Sequence, residues 1–113
     1  MPKLLVVVDD TQSRDALDVA LQLHWPPVTV VAARSGEEAL RVVRDQERDV
    51  VILNTSLPDL SGFEVLRQIR LISEAPVILL SDGHNETDQV RGLQLGADDV
   101  VVKPFSALVL IVG

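Results

Sequence analysis

The sequence has no cysteine and no tyrosine, and only one tryptophan and two phenylalanines in 113 residues. Without cysteine there is neither a disulfide nor a thiolate metal site. So few rings leave little to stack on bases, and a formal net charge of -7 repels phosphate backbones. Direct nucleic-acid binding is therefore not expected. No apolar run approaches the ~20 residues that span a bilayer. The opening "MPKLLVVVDD" is apolar over too short a run for a secretory signal, and it ends in two aspartates instead of small residues. The expectation is a soluble cytoplasmic protein. Linkers, repeats and low-complexity segments are also lacking, so residues 1–113 read as one domain.

What is there is an alternation. Five apolar, β-branched runs occur, at Leu4 to Val8, Val28 to Ala32, Val50 to Leu53, Val77 to Leu80 and Val100 to Val102. Between them lie segments of helical period. Ala16, Leu17, Ala20 and Leu21 form one apolar face; Ala39, Leu40 and Val43 form the next. Val65, Leu66 and Ile69 form a third, and Val90 with Leu93 a weaker fourth. Ser35-Gly36-Glu37-Glu38 and Ser61-Gly62-Phe63-Glu64 match the capping-box pattern, and Asn85 is a candidate cap for the fourth helix. Turns are marked by Pro26-Pro27, Pro58, Pro76 and Gly96. Continuous apolar strands alternating with helices predict an α/β fold, a doubly wound five-stranded parallel sheet of the (βα)5, flavodoxin-like type. Right-handed crossovers favour the strand order 2-1-3-4-5. The closing "SALVLIVG" is short and uncharged for a fifth helix, and reads as a truncated one.

Each strand but the second carries a polar group at its carboxyl end: Asp9 and Asp10 after the first, Asn54 after the third, Ser81 after the fourth, Lys103 after the fifth. Open parallel sheets bind ligands outside those ends, where the strand order reverses. Strands one and three are neighbours at that point, so Asp9, Asp10 and Asn54 are expected to meet. Two adjacent carboxylates call for a hard cation, and Mg2+ suits an all-oxygen set. Together with a hydroxyl from Ser81 and a charge from Lys103, the set suits a phosphoryl group in transfer. Each residue also has a plainer role. Asp9-Asp10 would cap the first helix, Asn54 and Ser81 would make turns, and Lys103 would sit at the surface. Gly62 and Gly96 read as backbone devices. The weight lies in four polar sites converging on one sheet edge.

The segments "LLVVVDD", "SGEEAL", "DVVILNTSLPDLSGFEVLRQIR", "PVILLSD" and "GLQLGADDVVVKPF", in that order and spacing, resemble the receiver domains of bacterial two-component response regulators. Within that family the chain most resembles receivers joined to winged-helix DNA-binding domains. The resemblance covers nearly the whole chain. It implies Mg2+ held by Asp10 directly and by Asp9 through water, with the Ser56 carbonyl as a further ligand and position 54 completing the set. It implies Ser81 and Lys103 as the catalytic contacts to the phosphoryl group, and a cis Lys103–Pro104 peptide. A sensor histidine kinase is the implied partner. Homodimerisation through the fourth helix, fifth strand and fifth helix is a further implication. DNA would be reached only through an output domain that residues 1–113 do not include, and no membrane is involved. The family is not an enzyme class in its own right.

Two positions depart from the family. Asn54 stands where the phosphoacceptor aspartate is expected, and Val100 where many members carry an aromatic ring that reports activation. An amide oxygen lacks a full negative charge and forms no stable acyl phosphate, so it is a poor nucleophile toward phosphorus. With Asp9, Asp10 and Lys103 counted, the site holds about -1 where an aspartate would make it about -2, and metal attraction falls. The chain is thus expected to be phosphorylation-incompetent. Asp to Asn is the near-isosteric change that locks a receiver off. It is equally one that a natural pseudo-receiver acquires while serving as a phosphorylation-independent interaction module. Two other classes fit less well. A flavodoxin-like electron carrier needs a hydroxyl- and glycine-rich loop where this chain has "DDTQS". A Mg2+-dependent phosphatase would lack its strand-three nucleophile and a general base, since His24 and His84 read as surface residues.

Overall fold

The computed structural model describes residues 3–24, 29–81 and 86–102. Its elements follow the alternation: β1 (Lys3–Val7), α1 (Thr11–His24), β2 (Thr29–Ala33), α2 (Gly36–Asp45), β3 (Val50–Asn54), α3 (Gly62–Ile72), β4 (Val77–Ser81), α4 (Glu86–Gln94) and β5 (Asp99–Val102). All strand pairs are parallel and the order is β2-β1-β3-β4-β5, as expected. Boundaries differ by a residue or so from the apolar runs. The ladders carry β3 and β4 one residue further, so Asn54 and Ser81 belong to the strands and pair with Leu80 and Val102.

Strand side chains alternate between faces, and both faces are covered. Leu5, Val7, Val51, Leu53, Val77 and Leu79 pack with Ala39, Leu40, Val43, Val65, Leu66 and Ile69 of α2 and α3. On the other face Leu4, Val6, Val8, Ile52 and Leu80 pack with Leu17 and Leu21 of α1. Burying each such aliphatic side chain contributes about 1.5–3 kcal/mol, which is why apolar runs without polar alternation become central strands.

Two helical faces need correction. Ala16 is exposed, because Leu17 and Leu21 alone supply the described contacts of α1 with the sheet. On α4, Val90 and Leu93 are 53% and 54% exposed. Gly92 faces the sheet instead: an added Cβ there would lie 2.7 Å from Leu79 Cδ1 and 2.9 Å from Val100 Cγ2. The helix approaches the sheet on its glycine and turns its larger apolar residues outward.

The capping boxes are half made. Ser35 Oγ accepts from the Glu38 amide at 3.1 Å, but Glu38 reaches back to the Arg34 amide instead of Ser35. Ser61 Oγ accepts from the Phe63 amide, while Glu64 turns along α3 to Arg67 and Gln68. Asp59, from the β3–α3 loop, accepts from the Gly36 and Glu37 amides at 2.8 and 3.0 Å and so caps α2 from outside. At the far end of the sheet Arg70 of α3 donates to the Gly96 and Ala75 carbonyls at 2.9 and 2.6 Å, and pairs with Asp98 at 3.1 Å. Asp98 also accepts from the Val77 amide at 2.8 Å. Gly96 has φ +107°, the left-handed turn that its position after α4 requires. Asn85, the Lys103–Pro104 peptide and the expected fifth helix lie outside the described residues.

Candidate functional site

The site forms where β1 and β3 end side by side. Val7 pairs with Leu53, which sets Asp9 beside Asn54, the last residue of β3. Asn54 is only 2% exposed, although it is polar. Its Nδ2 donates to the Ser56 carbonyl at 3.0 Å and, more weakly, to Asp9 Oδ1 at 3.5 Å. Its Oδ1 is buried with no hydrogen-bond partner among the described residues.

The loop that presents the Ser56 carbonyl is held at both ends. Thr55 donates its amide to the Leu80 carbonyl at 2.9 Å, and the Gly62 amide donates to the Thr55 carbonyl at 2.8 Å. Ser56 and Ser61 form an isolated antiparallel bridge between those points. Gly62 permits the closure, since a Cβ there would lie 2.2 Å from the Asn54 carbonyl oxygen and 2.6 Å from Thr55 Cα.

Asp10 is engaged differently from Asp9. Its carboxylate accepts from the Gln12 amide at 3.3 Å, and from the Ser13 amide and hydroxyl at 3.1 and 2.6 Å. Its carbonyl takes the Arg14 amide, so Asp10 starts α1 in the manner of an N-cap. Ser81 is fully buried at the end of β4, and its hydroxyl lies 3.4 Å from Asp88 Oδ2 on α4, a long hydrogen bond. Asn54 thus links Asp9 and Ser56 through its Nδ2 group. Asp10 sits beside them on the helix start, Ser81 lies one strand further along, and Lys103 falls outside the described residues. Asp59, which caps α2, carries no local sequence signal, because its partners Gly36 and Glu37 lie 23 and 22 residues away in the chain, and nothing in the stretch around Asp88 points to Ser81.

For Mg2+ the donor types fit and one orientation does not. The Asp9 carboxylate and the Ser56 carbonyl are hard oxygens of the right kind, with Asp10 adjacent. Asn54, however, turns its N–H groups toward both of those oxygens. Among the described residues no three His, Cys, Asp or Glu side chains gather closely enough to enclose a metal ion. No described helix is long and apolar enough to cross a membrane.

A family model of the response regulator receiver domain matches residues 4–112. The chain is 44% identical over 110 residues to the transcriptional regulatory protein AfsQ1 of Streptomyces coelicolor, covering 97% of this chain and 48% of that protein. It is 42% identical over 104 residues to the probable transcriptional regulator ycf27 of Guillardia theta, covering 92% of this chain and 40% of that protein. The chain therefore spans about half the length, or less, of these curated relatives. Among solved structures, the receiver domain of the Francisella response regulator 1452 superposes with a TM-score of 0.92 at 30% identity, covering 99% of this chain and 92% of that one. The Thermotoga maritima response regulator DrrB, an OmpR/PhoB homologue, does so with a TM-score of 0.87 at 34% identity, covering 99% and 50%. By motif order, strand topology and these likenesses, the chain belongs to the response regulator receiver domain family.

Proposed function

We propose that this domain is a receiver module for a sensor histidine kinase that accepts no phosphoryl group at its family position. The observation that carries the reading is Asn54: a buried amide at the end of β3, beside Asp9 and Ser56, where a phosphoacceptor carboxylate belongs. Asp9, Asp10, Ser56 and Asn54 form a weakened Mg2+ site. Mg2+ would supply charge neutralisation at a phosphoryl group there. Ser81 and Lys103 are the groups assigned to contact that phosphoryl group. Output to DNA would run through a separate domain, as in the transcriptional regulators that the chain resembles, and the setting is cytoplasmic. The exposed Val90 and Leu93 of α4 support self-association through the face of α4, β5 and the segment that follows.

The test compares the protein with its Asn54→Asp variant in Mg2+ and a small acyl-phosphate donor. Intact mass should show one added phosphoryl group on the variant and none on the Asn54 protein. Labelling of both would move the site elsewhere, with Thr55 and Ser56 the nearest hydroxyls. Labelling of neither would leave a receiver in fold only. Sedimentation of the same samples reads the association, and a monomer under every condition would remove the α4 face as a dimer surface.

A further inference from the structure

We propose that the Asn54 amide is a built-in neutral substitute for the cation, a competitor of the metal and not merely a weak ligand for it. This rests on reading the crevice as a receiver metal site. The Nδ2 group donates to the Ser56 carbonyl at 3.0 Å and to Asp9 Oδ1 at 3.5 Å. In the ligand set assigned above, the Ser56 carbonyl would face a divalent ion directly and Asp9 through a water, so the amide holds two of the oxygens that belong to its shell. The chain therefore satisfies them itself, with the positive end of an amide dipole.

The orientation is set by its neighbours. Turning the amide end for end would place Oδ1 where Nδ2 now stands, 3.0 Å from one oxygen and 3.5 Å from a carboxylate. Both contacts would change from attraction to repulsion. The cost of the present orientation falls on the other end, where Oδ1 is buried without a hydrogen-bond partner among the described residues. An unpaired buried acceptor is tolerated only where the alternative is worse, and here the alternative is two oxygens facing a third. A cation that approaches these oxygens from the side the amide occupies has to displace its N–H contacts first.

Two accounts of a weak site then separate. If Asn54 only lacks charge, its amide oxygen still helps, and removing the side chain weakens metal binding further. If the amide competes, removing it frees Asp9 and Ser56, and binding tightens although a polar group has gone. Mg2+ and Mn2+, which share a preference for octahedral oxygen ligands, are titrated calorimetrically into the protein and into its Asn54→Ala and Asn54→Asp variants. Circular dichroism verifies the fold of each. The expected order is Asn54→Asp tightest and Asn54→Ala about tenfold tighter than the Asn54 protein, the scale of hydrogen bonds to a charged group. If Asn54→Ala binds no tighter while Asn54→Asp binds, the competitor idea is wrong and the metal site stands. If Asn54→Asp binds neither ion, the metal-site reading falls and the proposal with it.

A second measurement uses the unaltered chain and covers the case in which Asn54→Ala does not fold. The Asn54 side-chain NH2 resonances should exchange slowly with solvent. They should also stay in place at Mg2+ concentrations that saturate the Asn54→Asp protein. Exchange as fast as that of surface amides, or displacement at those concentrations, overturns the proposal.

Discussion

Gly62 and Asn54 meet where β3 gives way to α3, and the meeting is between backbones. A methyl group at Gly62 would lie 2.2 Å from the Asn54 carbonyl oxygen and 2.6 Å from Thr55 Cα, and neither atom belongs to a side chain that can swing aside. Gly62→Ala is therefore expected to destabilise the domain by about 2–3 kcal/mol, the upper range for overpacking, and to displace the Ser56 carbonyl. Urea unfolding measures the first effect, and an unchanged midpoint would show that the loop yields without cost. At this scale the site was partly legible. Asp9, Asn54 and Ser81 could be found because each directly follows or ends an apolar run. The split between Asp9 and Asp10 could not. An aspartate just before a helix is equally suited to capping and to ligation, and only the start of α1 at Thr11 decides which carboxylate reaches the amides of Gln12 and Ser13.

Helix starts supply the next example. Asp59 takes the first two amides of α2, and these backbone hydrogen bonds, Glu37 first and then Gly36, hold its carboxyl below the usual range. On α3 the Arg67 side chain, seconded by Gln68, brings Glu64 down to about 2 from an ordinary 4.5. Both groups bind protons more readily in the unfolded chain. The stabilisation from Glu64 is complete above about pH 4.5 and is lost as the pH falls toward about 2, and that from Asp59 is likewise lost on acidification. Asp59→Ala is expected to lower Tm by about 2–5 °C at neutral pH, as for other lost caps in small domains. Combined with Glu64→Gln, it should flatten the acid limb of stability against pH. A double variant that keeps the full acid slope would assign that slope to other carboxylates. The outward turn of α4 shows why elements are less legible than residues. Periodicity ranks apolar side chains and picks Val90 and Leu93, whereas the contact is made by Gly92, whose lack of a side chain brings the helix close to Leu79 and Val100.

Across the whole molecule the fold was the most legible part, for a physical reason. Strands such as Val51-Ile52-Leu53 are apolar at every position, so both faces must be covered, and right-handed crossovers leave few ways to do it. What the pattern does not carry is the fastening of distant pieces, and Arg70 is the clearest case. Its partners Gly96 and Asp98 lie 26 and 28 residues away along the chain. Such a clasp cannot close until β4 has docked and the turn after α4 has formed, because loop closure comes before the contact that rewards it. In kinetic terms it belongs to the descent after the barrier. Arg70→Met should leave the refolding rate nearly unchanged and speed unfolding about tenfold, the pattern of a contact absent from the transition state. Stopped-flow measurements in urea read both arms, and a slowed refolding arm would place the clasp in the nucleus instead. A single side chain at the end of the sheet opposite Asn54 would then govern how long the folded domain persists, with little say in how quickly it is made.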